Sequence, residues 1–161
     1  MDSTQKIAPC LWFETQALEA ATFYTSVFPN ASITEVLSST VDYPGGKTGA
    51  VLLVTFTLAG QSYQALNGGP GDTFNNAISL SVSCDDQAEV DRLWSALAAD
   101  GGKPVQCGWL KDKYGVSWQI VPKRLLELLG DKDPVKARGV MTAMMQMVKI
   151  DVATIEAAHR G

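Results

Sequence analysis

Between residues 77 and 84 the chain reads AISLSVSC, in which Ile78, Leu80 and Val82 alternate with Ser79, Ser81 and Ser83. That period of two predicts a strand with one apolar face and one hydroxyl-bearing face. The pattern then changes. Asp86 with Glu89 three residues later forms a capping box, and Val90, Leu93, Trp94 and Leu97 recur at helical spacing until Gly101 and Gly102 stop the run. Three short strands follow, around 103–107, 108–112 and 116–121.

The first half keeps the same order. Residues 6–13 (KIAPCLWF) form an apolar strand candidate and Thr15 is the expected N-cap. Ala17, Ala20, Phe23, Tyr24, Val27 and Phe28 then mark a helix that Pro29 ends. Strands are predicted at 32–39, 50–59 and 62–66, with a loop at 40–49, a turn at Gly60 and Gln61, and a break at 67–72. An offset of 70 places Glu19 on Glu89, Phe23 on Leu93, Tyr24 on Trp94 and Val27 on Leu97. We read a duplicated βαβββ unit, with module 1 at 6–70 and module 2 at 75–122.

Residues 123–161 predict helices only. Pro122 opens the first, and Asp133 with Pro134 opens the second. Val140, Met141, Met144, Met145 and Val148 make an apolar stripe suited to core or subunit contact, and Asp151 caps the last helix. The expected class is therefore α+β, one domain over 1–161 with a helical C-terminal extension at 123–161.

Composition narrows the function classes. Of the 161 residues, 46% are hydrophobic and 19% charged, an ordinary globular balance. No apolar run approaches the ~18 residues of a membrane span, and MDSTQKIAPC has no secretory pattern, so the expected location is cytoplasmic, with no membrane partner. A net charge of −4, with the basic stretches at Lys123-Arg124 and 132–138 diluted by acids, speaks against nucleic acid. Three cysteines, Cys10, Cys84 and Cys107, without a CxxC, speak against a disulfide framework or zinc ribbon and read as small hydrophobes. The only histidine, His159, lies three residues from the end, which removes an interior His triad and a His-rich metal site.

Paired βαβββ modules, the helix end FYTSVFP and a hairpin ending KYGVSWQIVP resemble the vicinal oxygen chelate superfamily of glyoxalase I, extradiol dioxygenases and bleomycin-resistance proteins. Within it, SCDDQAEVDRLWSAL and CGWLKDKYGVSWQIVP resemble the PhnB-like branch, labelled demethylubiquinone methyltransferase-like. The resemblance implies an open, cup-shaped mixed sheet with helices on the convex face, and a homodimer whose site lies between paired modules. It also implies four ligand positions for a divalent ion, which fall on Pro9, Gln64, Ala77 and Gln119, the last set by Gly115 four residues earlier. None is His, Glu, Asp or Cys, so the expectation is no metal and no cofactor.

With Gln119 facing the cup, strand parity adds Ser117 and Val121 beside it, while Val116, Trp118 and Ile120 face the helices. Likewise Ser79, Ser81 and Ser83 face the cup, as do Ser62, Gln64 and Leu66, with Leu11 and Phe13 on the first strand. That parity puts Cys10 and Cys84 on the helix side; Cys107, preceding a glycine, is the more accessible thiol. The candidate ligand-binding set is Phe13, Gln64, Ser79, Ser81, Ser117 and Gln119, a neutral polar lining with an aromatic wall. The structural alternative is that Gln64 and Gln119 bond each other or backbone groups. Asp112 opens the turn DKYG, with Gly115 at positive φ.

Two features carry less than they promise. GGKTG (45–49) has Val41 where a phosphate-binding loop needs its first glycine, and a strand follows, so it reads as a mobile hairpin loop covering the cup. The methyltransferase label finds no Gly-rich strand–turn–helix unit for a nucleotide-like cofactor. The expected function is a metal-free small-molecule binding protein. The alternatives are an enzyme (isomerase, lyase or methyltransferase-labelled) working by an unrecognised mechanism, and a purely structural dimer.

Overall fold

The computed structural model describes residues 5–161. The chain divides into two compact units, the first ending at Thr73 and the second running from Phe74 to Gly161. In the first unit the elements are β1 (Cys10–Phe13), α1 (Ala17–Val27), β2 (Ser32–Ser38), β3 (Val51–Leu58) and β4 (Gln61–Asn67). The second begins with β5 (Leu80–Cys84), α2 (Gln87–Leu97), β6 (Lys103–Pro104), β7 (Trp109–Lys111) and β8 (Ser117–Pro122). It continues through α3 (Lys123–Leu129), α4 (Pro134–Met144) and α5 (Val152–Arg160).

The duplication is visible in the pairing. Strand order is β1-β4-β3-β2 in one sheet and β5-β8-β7-β6 in the other. In each, the first strand is parallel to the last and the other pairs are antiparallel. Each unit thus has its own four-stranded mixed sheet with one helix crossing between its first two strands.

Helix α1 buries Ala17, Ala20, Ala21, Tyr24 and Val27. The alanines let it lie close to the sheet, and the Tyr24 ring stacks on Phe56 at 6.3 Å. Its start differs from expectation. Gln16, not Thr15, holds the N-cap position, without a side-chain cap bond. The donor at Ala17 is satisfied instead by Asn67 Oδ1 at 2.8 Å, from the end of β4. Helix α2 starts as predicted: the Glu89 N–H donates to Asp86 Oδ1 at 2.9 Å, and the Asp85 N–H to Glu89 Oε2 at 2.7 Å.

The extension is built into the second unit. Leu125, Leu128, Val140, Ile150 and Ile155 form its buried cluster, with Met144 and Met147 packed against it. The methionine stripe therefore divides, since Met141 (45%) and Met145 (55%) remain exposed. Cys107 and Gly108 take positive φ of 56° and 81°, which turns their N–H groups outward. Those groups donate to Met147 O and Val148 O, both at 2.8 Å. Gln87 completes the attachment, donating to Ile150 O at 3.1 Å and accepting from the Val152 N–H at 2.8 Å. No described helix is long and apolar enough to cross a membrane.

Candidate functional site

Register assigns side chains to faces, because residues paired across neighbouring strands point the same way. In the second unit Ser81 pairs with Gln119, and Gln119 with Trp109. The next row joins Ser117 to Lys111 and Lys111 to Lys103. The intervening residues Trp118, Ile120 and Leu110 are buried beneath α2, so both rows occupy the face opposite that helix. Gln119 Nε2 donates to Ser79 Oγ at 2.9 Å, and Ser117 Oγ bonds Asn76 Oδ1 at 3.2 Å. Ser79, Ser81, Ser117 and Gln119 thus come together on one face. Trp109 and Lys111 belong to it too, and sequence reasoning missed them because only pairing register reveals which residues oppose Gln119 and Ser117.

In the first unit one row runs Cys10, Gln64, Thr55, Glu35 and the next Trp12, Leu66, Leu53, Leu37. Gln64 therefore occupies the same topological place in its sheet as Gln119 does in the other. Phe13 does not. It is 3% exposed and pairs with Asn67, on the side occupied by Leu11, Ala65 and α1. The first-strand assignment is corrected: Cys10 and Trp12 face away from the helix, and Leu11 and Phe13 lie under it. Cys10 is accordingly exposed, while Cys84 is buried.

The physical reason is one residue. Between β1 and α1 lie residues 14–16, and between β5 and α2 only residues 85–86. An offset of 70 aligns Ala17 with Gln87, but carried back into the strands it places Phe13 opposite Ser83 rather than Cys84. A one-residue shift exchanges the two faces of a strand.

The donor set does not fit a divalent ion. Pro9 and Ala77 offer no side-chain ligand atom, and Gln64 and Gln119 are neutral amides. On the helix-free face of the first unit, Cys10 and Glu35 stand three strand spacings apart, about 14 Å, too far to share an ion. Among the described residues no group of three His, Cys, Asp or Glu side chains is placed to hold a metal. Nor does either strand-to-helix turn carry glycine; the second holds Asp85 and Asp86, whose charges repel a phosphate-bearing cofactor. Burial, with Glu89 nearby, pushes the Cys84 thiol up to about 11 and keeps it unreactive.

Asp112 is a structural carboxylate. It is 3% exposed; Oδ1 accepts from the N–H groups of Tyr114 at 2.9 Å and Val116 at 3.0 Å, and Oδ2 from Trp118 Nε1 at 2.8 Å. Gly115 follows at φ 88°, as the turn requires. The GGKTG loop is tied internally, since the Asp42 carboxylate accepts from Lys47 Nζ at 2.9 Å and the Thr48 N–H at 2.9 Å.

A family model described as 3-demethylubiquinone-9 3-methyltransferase matches residues 5–121. The chain is similar to a solved structure described as a putative 3-demethylubiquinone-9 3-methyltransferase, PhnB protein, from Bacillus cereus. Identity is 38%, coverage is 73% of this chain and 99% of that one, and the TM-score is 0.66. It is also similar to protein PA1353 from Pseudomonas aeruginosa, at 21% identity, coverage of 74% and 98%, and a TM-score of 0.62. A glyoxalase/bleomycin resistance protein from Albidiferax ferrireducens is a third, at 14% identity, coverage of 71% and 95%, and a TM-score of 0.45. No curated protein matches. The matched region ends before α3, so the three C-terminal helices lie outside it.

Proposed function

The chain belongs to the PhnB-like family described as 3-demethylubiquinone-9 3-methyltransferase, with the vicinal oxygen chelate fold, and on that footing we propose that it is a metal-free small-molecule binding protein. The observation that carries this reading is the row Ser81, Gln119, Trp109, with Ser79 hydrogen-bonded to the Gln119 amide. It offers hydroxyls, an amide and an indole in adjacent positions, chemistry suited to a flat, uncharged ligand held by hydrogen bonds and stacking. Gln64 serves the equivalent position of the first unit. Phe13 is not part of the proposed set.

The family description names methyl transfer to a quinone-type ring. The proposal keeps that class of ligand and drops the transfer, because neither β–α turn has the glycine-rich form that a nucleotide-like methyl donor uses. The proposed protein is a cytoplasmic homodimer.

Two measurements test it. Protein purified without a metal-affinity step is expected to contain substoichiometric transition metal; a stoichiometric ion would overturn the metal-free reading. A thermal-shift screen of small aromatic and quinone-like compounds is expected to find ligands that raise the melting temperature, as a native-state ligand must. Gln119→Ala should abolish that shift, and an unchanged shift would remove Gln119 from the site. Light scattering at several concentrations reports the dimer.

A further inference from the structure

The hairpin end of the second sheet carries an unexplained concentration of positive charge. Lys103 on β6 and Lys111 on β7 are direct cross-strand partners, which places two ammonium groups on the same side of neighbouring strands. Like charges so placed repel, and the chain as a whole is acidic, at −4. Elsewhere among the described residues Lys47, Lys123, Arg124 and Lys149 each hold a carboxylate. Neither Lys103 nor Lys111 has one within 4.0 Å among the described residues.

These lysines line a cleft of about 350 Å³ together with Lys113 and Tyr114. Lys113 Nζ stands 5.5 Å from the Tyr114 ring centroid, so the third ammonium is held at the aromatic wall. The one carboxylate in the lining, Asp112, accepts the Tyr114 and Val116 N–H groups and the Trp118 indole N–H within the hairpin. Three ammonium groups against that carboxylate leave the cleft at +2. Gly101 and Gly115 form part of the rim, and a Cβ at either would meet nothing within 4 Å, so the mouth is open.

We propose that this cleft binds the phosphate group of a small phosphate monoester, the dianion offsetting Lys103 and Lys111 and the organic part lying against Tyr114. Lysine suits the task because its compact ammonium acts as a point charge and places no planar demand on a tetrahedral oxyanion. The inference does not depend on the proposed role of Gln119, and the two stand or fall separately.

Titration calorimetry of the full chain with phenyl phosphate and with inorganic phosphate, at an ionic strength held constant by sodium chloride, tests it. Saturable binding of phenyl phosphate is expected. Inorganic phosphate binding as well would identify the phosphate group as the element recognised, and weaker binding of the free ion would assign the difference to Tyr114. The double variant Lys103→Gln/Lys111→Gln should weaken binding at least tenfold, whereas Lys47→Gln in the first unit should leave it unchanged. Gly101 and Gly115 amide resonances of the unaltered protein should shift on titration. Heats indistinguishable from the sodium chloride control, resonances that stay in place, or a double variant that binds like the parent would overturn the proposal.

Discussion

Asn67 Oδ1 accepts the Ala17 N–H at 2.8 Å, so the last residue of β4 caps a helix 50 positions earlier in the chain. The same amide donates through Nδ2 to Val51 O at 3.0 Å. Both contacts lie in a residue that is 5% exposed. Asn67→Ala would leave the buried Ala17 N–H without its acceptor, while Val51 O keeps the Tyr43 hydroxyl at 3.3 Å. The change should destabilise by about 1–3 kcal/mol in urea unfolding. Asn67→Asp, which keeps the helix acceptor, should lose less.

Asp112 ties the β7–β8 hairpin to the Trp118 indole. Asp112→Ala strands the Trp118 Nε1–H and the Val116 N–H in the interior and should cost about 2–4 kcal/mol. The indole N–H resonance of Trp118 reports the lost bond directly.

The face assignments make opposite predictions for two aromatic residues. Phe13→Leu changes the packing under α1 and should cost about 1–2 kcal/mol, while the affinity of any ligand found in the thermal-shift screen stays within twofold. Trp109→Ala, opposite Gln119, removes a half-buried indole and should cost some stability, but unlike Phe13→Leu it should also weaken that ligand about tenfold. The reverse pattern would restore Phe13 to the site.

Acid should loosen the C-terminal helices before the sheets. Lys149, then Gln87, hold the Asp91 carboxyl below its ordinary value, and the Asp133 N–H, then His159, do the same for Asp131. The Thr154 hydroxyl and N–H lower Asp151. A depressed carboxyl contributes stability that is present above its unfolded value, near pH 4, and is lost as pH falls through the lower folded value. Hydrogen exchange is therefore expected to show α5 losing protection below about pH 4 while β3 and β8 retain theirs.

The thiols should separate at the other end of the scale. Cys10 is exposed, but desolvation raises its thiol above the ordinary value, so it should alkylate slowly at pH 8 and faster as pH rises. Buried Cys84, held up at about 11, should react only on unfolding. Its raised folded value means stability present below the ordinary thiol range and lost as pH rises toward that value.

What the sequence determined by itself is what depends on near neighbours. The alternation Leu80, Ser81, Val82, Ser83, the Asp86 and Glu89 capping box, the Asp112 turn with Gly115, and the repeated element order all follow from residues within one turn or one strand of each other. The strand expected from 77, however, begins only at Leu80 and leaves Ile78 exposed. Gly115 also anchors the count into β8, which is why Ser117 and Gln119 face as their spacing predicts. Tertiary structure decided whatever depends on distant pairing. The Asn67 cap, the placement of Trp109 and Lys111 beside Gln119 and Ser117, and the bonds from 107–108 to 147–148 join segments that carry no local mark of one another. The direction of β1 belongs with these. Its side chains alternate as the sequence says, but which set lies under α1 depends on whether two or three residues bridge strand and helix. The docking of the helix on the sheet sets that number, and a change of one exchanges Phe13 for Trp12.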